Sequence, residues 1–173
     1  MGRFKMAEEI LVLMADLDEG SQQILSGWYG KLHDAGFTGV QTKSLPYHIS
    51  MGCFSLDKEE AVVKEMHELA ERFSPIPVYI GHMGLFAGGK ILFASPDMNP
   101  PDILKLRQAI RTETQEQFPW TPHCTIMIDE KETIQKALPV LVEDFHPFEG
   151  KITRLHLCAF WPTREIASVS LEK

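Results

Sequence analysis

Cysteine is scarce and scattered in this sequence. Its three cysteines, Cys53, Cys124 and Cys158, lie far apart with no CxxC pair, which removes both a disulfide framework and a zinc knuckle from consideration. Each is expected to be a small buried apolar residue. Long apolar runs are lacking too, since none approaches the roughly 18 residues that a bilayer-spanning helix needs. Basic charge is in deficit: 17 Lys and Arg against 24 Asp and Glu give a formal net charge of -7. That balance argues against a protein that holds long nucleic acid by neutralising many phosphates, but leaves room for a small anionic substrate in a local basic pocket. The start, "MGRFKMAEE", carries positive charge with no apolar segment behind it, and acids interrupt "ILVLMADLDEG" before a signal peptide could be completed. A cytoplasmic protein is therefore expected.

What is present has the composition of an ordinary globular protein. Its 173 residues, 44% hydrophobic and 24% charged, suit one folding unit with room for two small lobes. Residues 9–17 read as a buried strand, and Ile24, Leu25, Trp28, Leu32 and Ala35 then recur at helical spacing up to Gly36, a good helix terminator. β-favouring residues return over 45–54, an amphipathic helix covers 56–73, and a strand covers 76–84. The second half offers a short strand over 89–96, a helix over about 101–117 that begins on a proline, and a strand over 123–129. A helix over 130–145, despite Pro139, and a closing strand pair over 150–162 and 165–172 complete it. Element order thus repeats weakly, although residue identity does not. The expected architecture is α+β: one bilobal domain over 1–173, with pseudo-symmetric sheet-centred lobes over about 1–88 and 89–173. Outer helices would flank a central cleft, and exchange of strands between the lobes is compatible with this order.

Each half contains one unusual strand. "PYHISMGCF" (46–54) and "WTPHCTIMID" (120–129) both place a histidine two residues ahead of a hydroxyl residue, with a proline just upstream, at the mouth of an apolar run. Strand alternation puts His48 and Ser50 on one face with Ile49, Met51 and Cys53 on the other; likewise His123 and Thr125 oppose Cys124, Ile126 and Ile128. A strand anchored in a core and open to a polar cleft has this pattern. In a chain with seven histidines, two His-x-Ser/Thr matches mean little by themselves. Their matched contexts carry the argument. A metal site built from His48, His123 and a cysteine is the main chemical rival, but alternation turns Cys53 and Cys124 away from the histidines. No metal or other cofactor is expected.

With "YHISMGCF" and "PHCTIMI", the sequence resembles the 2H phosphoesterase superfamily. That group includes bacterial RNA 2',3'-cyclic phosphodiesterases, the so-called 2'-5' RNA ligases, and plant-type cyclic nucleotide phosphodiesterases. The resemblance in element order runs over roughly residues 10–171, while its diagnostic content is confined to the two motifs. It implies that His48 and His123 are an acid–base pair and that Ser50 and Thr125 hydrogen-bond the phosphate. It also implies an aromatic cradle in the last hairpin, for which Phe160 and Trp161 are the nearest matches.

Elementary chemistry points the same way. Opening a 2',3'-cyclic phosphate needs a base to take a proton from water and an acid on the opposite side to protonate the departing ribose oxygen. Two imidazoles, which titrate near neutrality, can divide that work, and two hydroxyls can donate to the nonbridging oxygens as charge builds. Further candidate substrate contacts are Tyr47 and Trp120, which stand just before the motifs and could stack on a base, together with Arg154 and Arg164, which could reach a phosphate. The expected activity is metal-independent hydrolysis of 2',3'-cyclic phosphates to 2'-phosphates. The expected partner is a small phosphorylated nucleotide or RNA terminus, with no long nucleic acid, membrane or obligate protein partner. The alternatives are a phosphoesterase for another small cyclic phosphate or 2'-5' linkage, and a noncatalytic binder of nucleotides or RNA ends.

Overall fold

Residues of alternating character build the first strand, β1 (Ile10–Leu17), which pairs antiparallel with β2 (His48–Phe54) on one side. Leu11, Leu13, Ala15 and Leu17 point into the main core, whereas Ile10, Val12, Met14 and Asp16 share the opposite face. The structure, a computed structural model, describes residues 9–39, 45–98, 102–116 and 119–171. Helix α1 (Glu19–Asp34) starts where the Asp18 side chain accepts from the Ser21 amide at 3.0 Å. It ends before Gly36, whose φ of 91° is a conformation that glycine alone adopts without strain. A 3-10 turn (Leu56–Lys58) leads into α2 (Glu59–Arg72), which buries Val62, Met66 and Leu69.

Strands β3 (Ile76–Leu85), β4 (Ile91–Pro96) and β5 (Cys124–Ile128) form an antiparallel meander, interrupted by α3 (Asp102–Ala109) between β4 and β5. Helix α4 (Lys131–Asp144) comes next with Pro139 inside it, and β6 (Phe148–Phe160) and β7 (Arg164–Ser170) close the chain as a hairpin. Among the described residues the strands make one seven-stranded sheet in the order β2-β1-β6-β3-β4-β5, with β7 also paired to β6. The class is α+β, as the sequence suggests. Among the described residues, no helix is long and apolar enough to cross a membrane.

The 13-residue β6 organises everything else. Ile152 pairs with Leu17 of β1 and with Ile76 of β3, and Arg154 pairs with Asp16 of β1 and with Ser170 of β7. β3 and β7 therefore lie end to end along one side of β6, with β1 along the other. A strand from the second half of the sequence thus sits between two strands from the first.

Three expectations need correction, the simplest being Ile128, which a register slip between Leu92 and Phe93 turns outward while Met127 takes the core place. The helix expected over 101–117 ends at Ala109, positions 101 and 117 themselves lying outside the described residues. The cause is Glu65 of α2: its carboxylate accepts from the amides of Arg111 at 2.6 Å and Thr112 at 3.0 Å, drawing the chain out of helical register. Burial by itself would raise the Glu65 carboxyl, but the hydrogen bonds from Thr112 and Arg111 outweigh it and hold the group below its ordinary value. Gln115 then donates to the carbonyl of Cys53 at 2.7 Å.

A further correction concerns Cys53. β1 and β2 slip register between Leu13 and Met14, so Leu13 opposes Gly52, Met14 opposes Ser50, and Met51 is the extra residue of a bulge. Beyond such a bulge the facing of each side chain is reversed. Phe54 joins Ile49 and Met51 in the core, while Cys53 turns to the His48 face opposite Val12 and is half-buried. Cys124 and Cys158 are fully buried, as expected.

Candidate active site

The two motifs meet at the ends of the sheet's path. β2 and β5, its terminal strands, approach one another, and the His48 backbone comes close to the sulfur of Cys124, the residue after His123. Burial pushes the Cys124 thiol far up, so it stays neutral and acts as a spacer between the strands. His123 is near enough to His48 for its charge to lower the His48 pKa.

Both rings are held in the same way. His48 Nδ1 lies 2.8 Å from the Pro46 carbonyl and His123 Nδ1 lies 2.7 Å from the Thr121 carbonyl, in each case two residues upstream. A carbonyl only accepts, so Nδ1 carries the proton and Nε2 is the nitrogen left for proton transfer. The turn before His123 is braced in addition by Ser95 Oγ, which donates to the Pro122 carbonyl at 2.9 Å. His146 makes the same kind of bond to Asp144, at 2.9 Å, so local geometry does not single out the pair. Convergence from two strands does.

Ser50 and Thr125 are partly exposed, each on the face of its histidine. Ser50 and His48 border a groove of about 240 Å³ whose remaining walls are Ile10, Val12, Met14, Phe160 and Trp161. Trp161 is 51% exposed at its mouth. Thr125 lies opposite Phe93, which packs over Gly84; a Cβ there would overlap the Phe93 ring. The His123 ring stands edge-on to Phe86, with centroids 4.7 Å apart, and tilted against Phe93 at 5.4 Å.

The fold has solved counterparts, and a family model decides the assignment. The model of the "2'-5' RNA ligase superfamily" matches residues 37–160, well over half of the chain and spanning both motifs. The chain belongs to the 2'-5' RNA ligase superfamily. The likeness in fold extends over nearly all of it. E. coli LigT, solved in complex with 3'-AMP, is 17% identical with a TM-score of 0.64, covering 96% of this chain and 100% of that one. TT0787 of Thermus thermophilus is 14% identical with a TM-score of 0.66, covering 94% and 97%. A protein described as a phosphoesterase is 18% identical with a TM-score of 0.59, covering 96% and 100%. No curated protein matches the sequence significantly.

In this superfamily member the other candidate residues take different places. Tyr47 packs against the main core, and its backbone is gripped by the Gln22 amide, which accepts from the Tyr47 amide at 2.7 Å and donates to its carbonyl at 2.8 Å. Trp120 donates from Nε1 to the Ser50 carbonyl at 2.8 Å, and the Arg107 guanidinium stands 5.8 Å from its ring centroid. Arg154 belongs to the floor beside His48, with Nε donating to Asp16 Oδ2 at 2.8 Å. Arg164 opposes Ala159 and so faces the helices, where it binds both oxygens of Glu59 on α2. The structure brings His48, Ser50, His123, Trp120 and Arg154 into one neighbourhood and places Arg164 against α2.

Sequence reasoning missed Asp16, Phe86 and Phe93. A signal existed for one of them: Asp16 shares the parity of Ile10, Val12 and Met14 and is only 2% exposed. The rings at His123 come from a turn and a neighbouring strand, which spacing along one strand does not reveal.

Burial lowers both histidines from the ordinary value of 6.5, against the opposing pull of the Pro46 and Thr121 carbonyls. Between the lowered values and 6.5 the folded protein therefore binds fewer protons at these rings than the unfolded chain does. Their contribution to stability is complete above about pH 6.5 and is lost as the pH falls through the lowered values. Urea unfolding should accordingly show a lower midpoint at about pH 5.5 than at about pH 7.5, and His48→Asn should shrink that difference. An undiminished difference in the variant would contradict this account of His48.

Proposed function

We propose that this protein is a metal-independent cyclic phosphodiesterase that opens 2',3'-cyclic phosphates of nucleotides or RNA ends to 2'-phosphates. The observation that carries this reading is the convergence of two histidines, each with Nδ1 tied to its own backbone and Nε2 left for chemistry. One imidazole takes a proton from water as the water oxygen attacks phosphorus. The other gives a proton to the departing 3' oxygen, so the bond to that oxygen breaks and a free 3' hydroxyl and a 2'-phosphate result. Ser50 and Thr125 donate to the nonbridging oxygens as negative charge grows on them.

The apolar groove beside Ser50 has room for a base or ribose, and the net charge of -7 favours a short end over a long polymer. LigT has been solved with 3'-AMP, phosphate, ATP and NADP+, all small phosphorylated ligands. A cytoplasmic RNA-processing role suits such a substrate. The test is turnover of a panel of 2',3'-cyclic nucleoside monophosphates and a short RNA with a cyclic end, in EDTA, for the wild type and His48→Ala. Hydrolysis that survives chelation and vanishes in the variant is expected. No turnover of any panel member removes the cyclic-phosphate assignment, and activity abolished by EDTA removes the metal-free mechanism. Undiminished binding without turnover would identify a noncatalytic binder.

A further inference from the structure

Under His48 lies a set of buried polar groups that strand packing alone does not call for. Asp16 and His156 are each 2% exposed. Asp16 stands directly across from His48 on one side and Arg154 on the other, so the three share a face. Its Oδ2 accepts from Arg154 Nε at 2.8 Å and lies 3.4 Å from His156 Nδ1, while its Oδ1 is buried without a hydrogen-bond partner. His156 Nε2 in turn lies 3.2 Å from Glu165 Oε1 and 3.5 Å from Cys158 Sγ. Leaving a carboxylate oxygen buried and unpaired is unfavourable, and an apolar residue would continue the face set by Ile10, Val12 and Met14 without that penalty.

The two histidines differ in this respect. His123 is set by burial, the Thr121 carbonyl and the edges of Phe86 and Phe93. His48 meets Asp16 from β1, Arg154 and His156 from β6 with Glu165 of β7 behind them, and His123 from just before β5. Of these, Asp16 favours a positive charge on His48, whereas His156 and His123 oppose it when they are themselves cationic. Cys158, pushed up to about 11 by burial and by the carboxylates of Glu165 and Asp16, remains a neutral thiol and adds no charge.

We propose that Asp16 is a positioning residue: its carboxylate, held by Arg154 under the cleft floor, makes the matched histidines unequal, so that His48 delivers the proton to the departing oxygen and His123 takes one from water. This rests on the cyclic-phosphate reading for the direction of transfer, whereas the link between Asp16 and His48 stands apart from it. Asp16 touches neither substrate nor the reacting atoms in this account. It acts through the charge of His48.

The test is an NMR titration of the two ring signals in wild type, Asp16→Asn and Arg154→Gln, with pH–rate profiles of wild type and Asp16→Asn on a 2',3'-cyclic nucleotide. A proton donor must be protonated to work, so its titration sets the alkaline limb. Asp16→Asn should shift the His48 midpoint and the alkaline limb downward together, leaving the His123 midpoint and the acid limb in place. Arg154→Gln should shift the His48 midpoint upward, because the Asp16 charge then stands uncompensated. A merely structural Asp16 gives no such pair of opposite shifts. An unmoved His48 midpoint in folded Asp16→Asn, or movement of the acid limb instead, overturns the proposal; if that variant does not fold, failure of Arg154→Gln to raise the midpoint does so. A wild type without turnover that still shows the His48 shifts overturns the cyclic-phosphate reading and leaves the link between Asp16 and His48 intact.

Discussion

Replacing His123 with alanine is expected to lower kcat on a 2',3'-cyclic nucleotide by roughly 10²–10⁴-fold, the usual contribution of a positioned proton-transfer group. On the proposed mechanism the ring is replaceable structurally but not chemically. Its one backbone bond is to the Thr121 carbonyl at 2.7 Å, which an asparagine amide can also make, so His123→Asn keeps the local turn and loses only the titrating nitrogen. Both variants should therefore lose activity to a similar extent while unfolding near the wild-type midpoint. Activity restored in His123→Asn would mean that the histidine serves the turn and not the chemistry. KM is expected to change little in either, because Ser50 and Thr125, not His123, are the groups proposed to hold the phosphate.

Leu157→Ala is expected to be the most damaging simple change to stability, at about 2–5 kcal/mol, the range for deleting a leucine side chain from a close-packed core. Against a total stability of about 5–15 kcal/mol for a domain of ordinary size, that is a large share. Leu157 is fully buried on β6, between Leu13 of β1 and Ala167 of β7, and faces the helices. Because β6 also carries β3, the damage should not stay local. Urea unfolding followed by tryptophan fluorescence, with Trp28 on α1 and Trp120 in the segment before β5, and by far-ultraviolet circular dichroism should give coincident curves displaced together to lower urea. Separate transitions would show that the two parts of the sheet unfold independently.

Local patterns carried much of this architecture in the sequence. Alternation in β1 and in β2 as far as Met51, helical spacing in α1 and α2, and hydroxyls two residues beyond His48 and His123 are properties of neighbouring residues, and they are found where periodicity puts them. What escaped depends on residues far apart in the chain. α3 stops early because Glu65, more than forty positions upstream, takes the amides of Arg111 and Thr112. Cys53 changes face because a bulge at Met51, seen only in the pairing with β1, reverses the parity of the strand. Arg164 turns to Glu59 because the hairpin register sets it opposite Ala159. The charged floor under His48 needs three strands to be aligned before Asp16, Arg154 and His156 become neighbours. No window of sequence contains that alignment.

The position of β6 has a consequence for how the chain reaches this shape on the ribosome. β1 and β3 are synthesised long before the strand that fills the space between them, and neither can complete its hydrogen bonding until residues 148–160 have left the exit tunnel. Until then the nascent chain displays two apolar strands with open edges, which invite pairing with other chains. Contacts between residues as distant as Ile10 and Phe160 also make for slow closure once synthesis has passed them. Yield in the cell should thus depend on holdase chaperones acting during translation, and a pause introduced just before the codon for Phe148 should lengthen the exposed interval and increase aggregation.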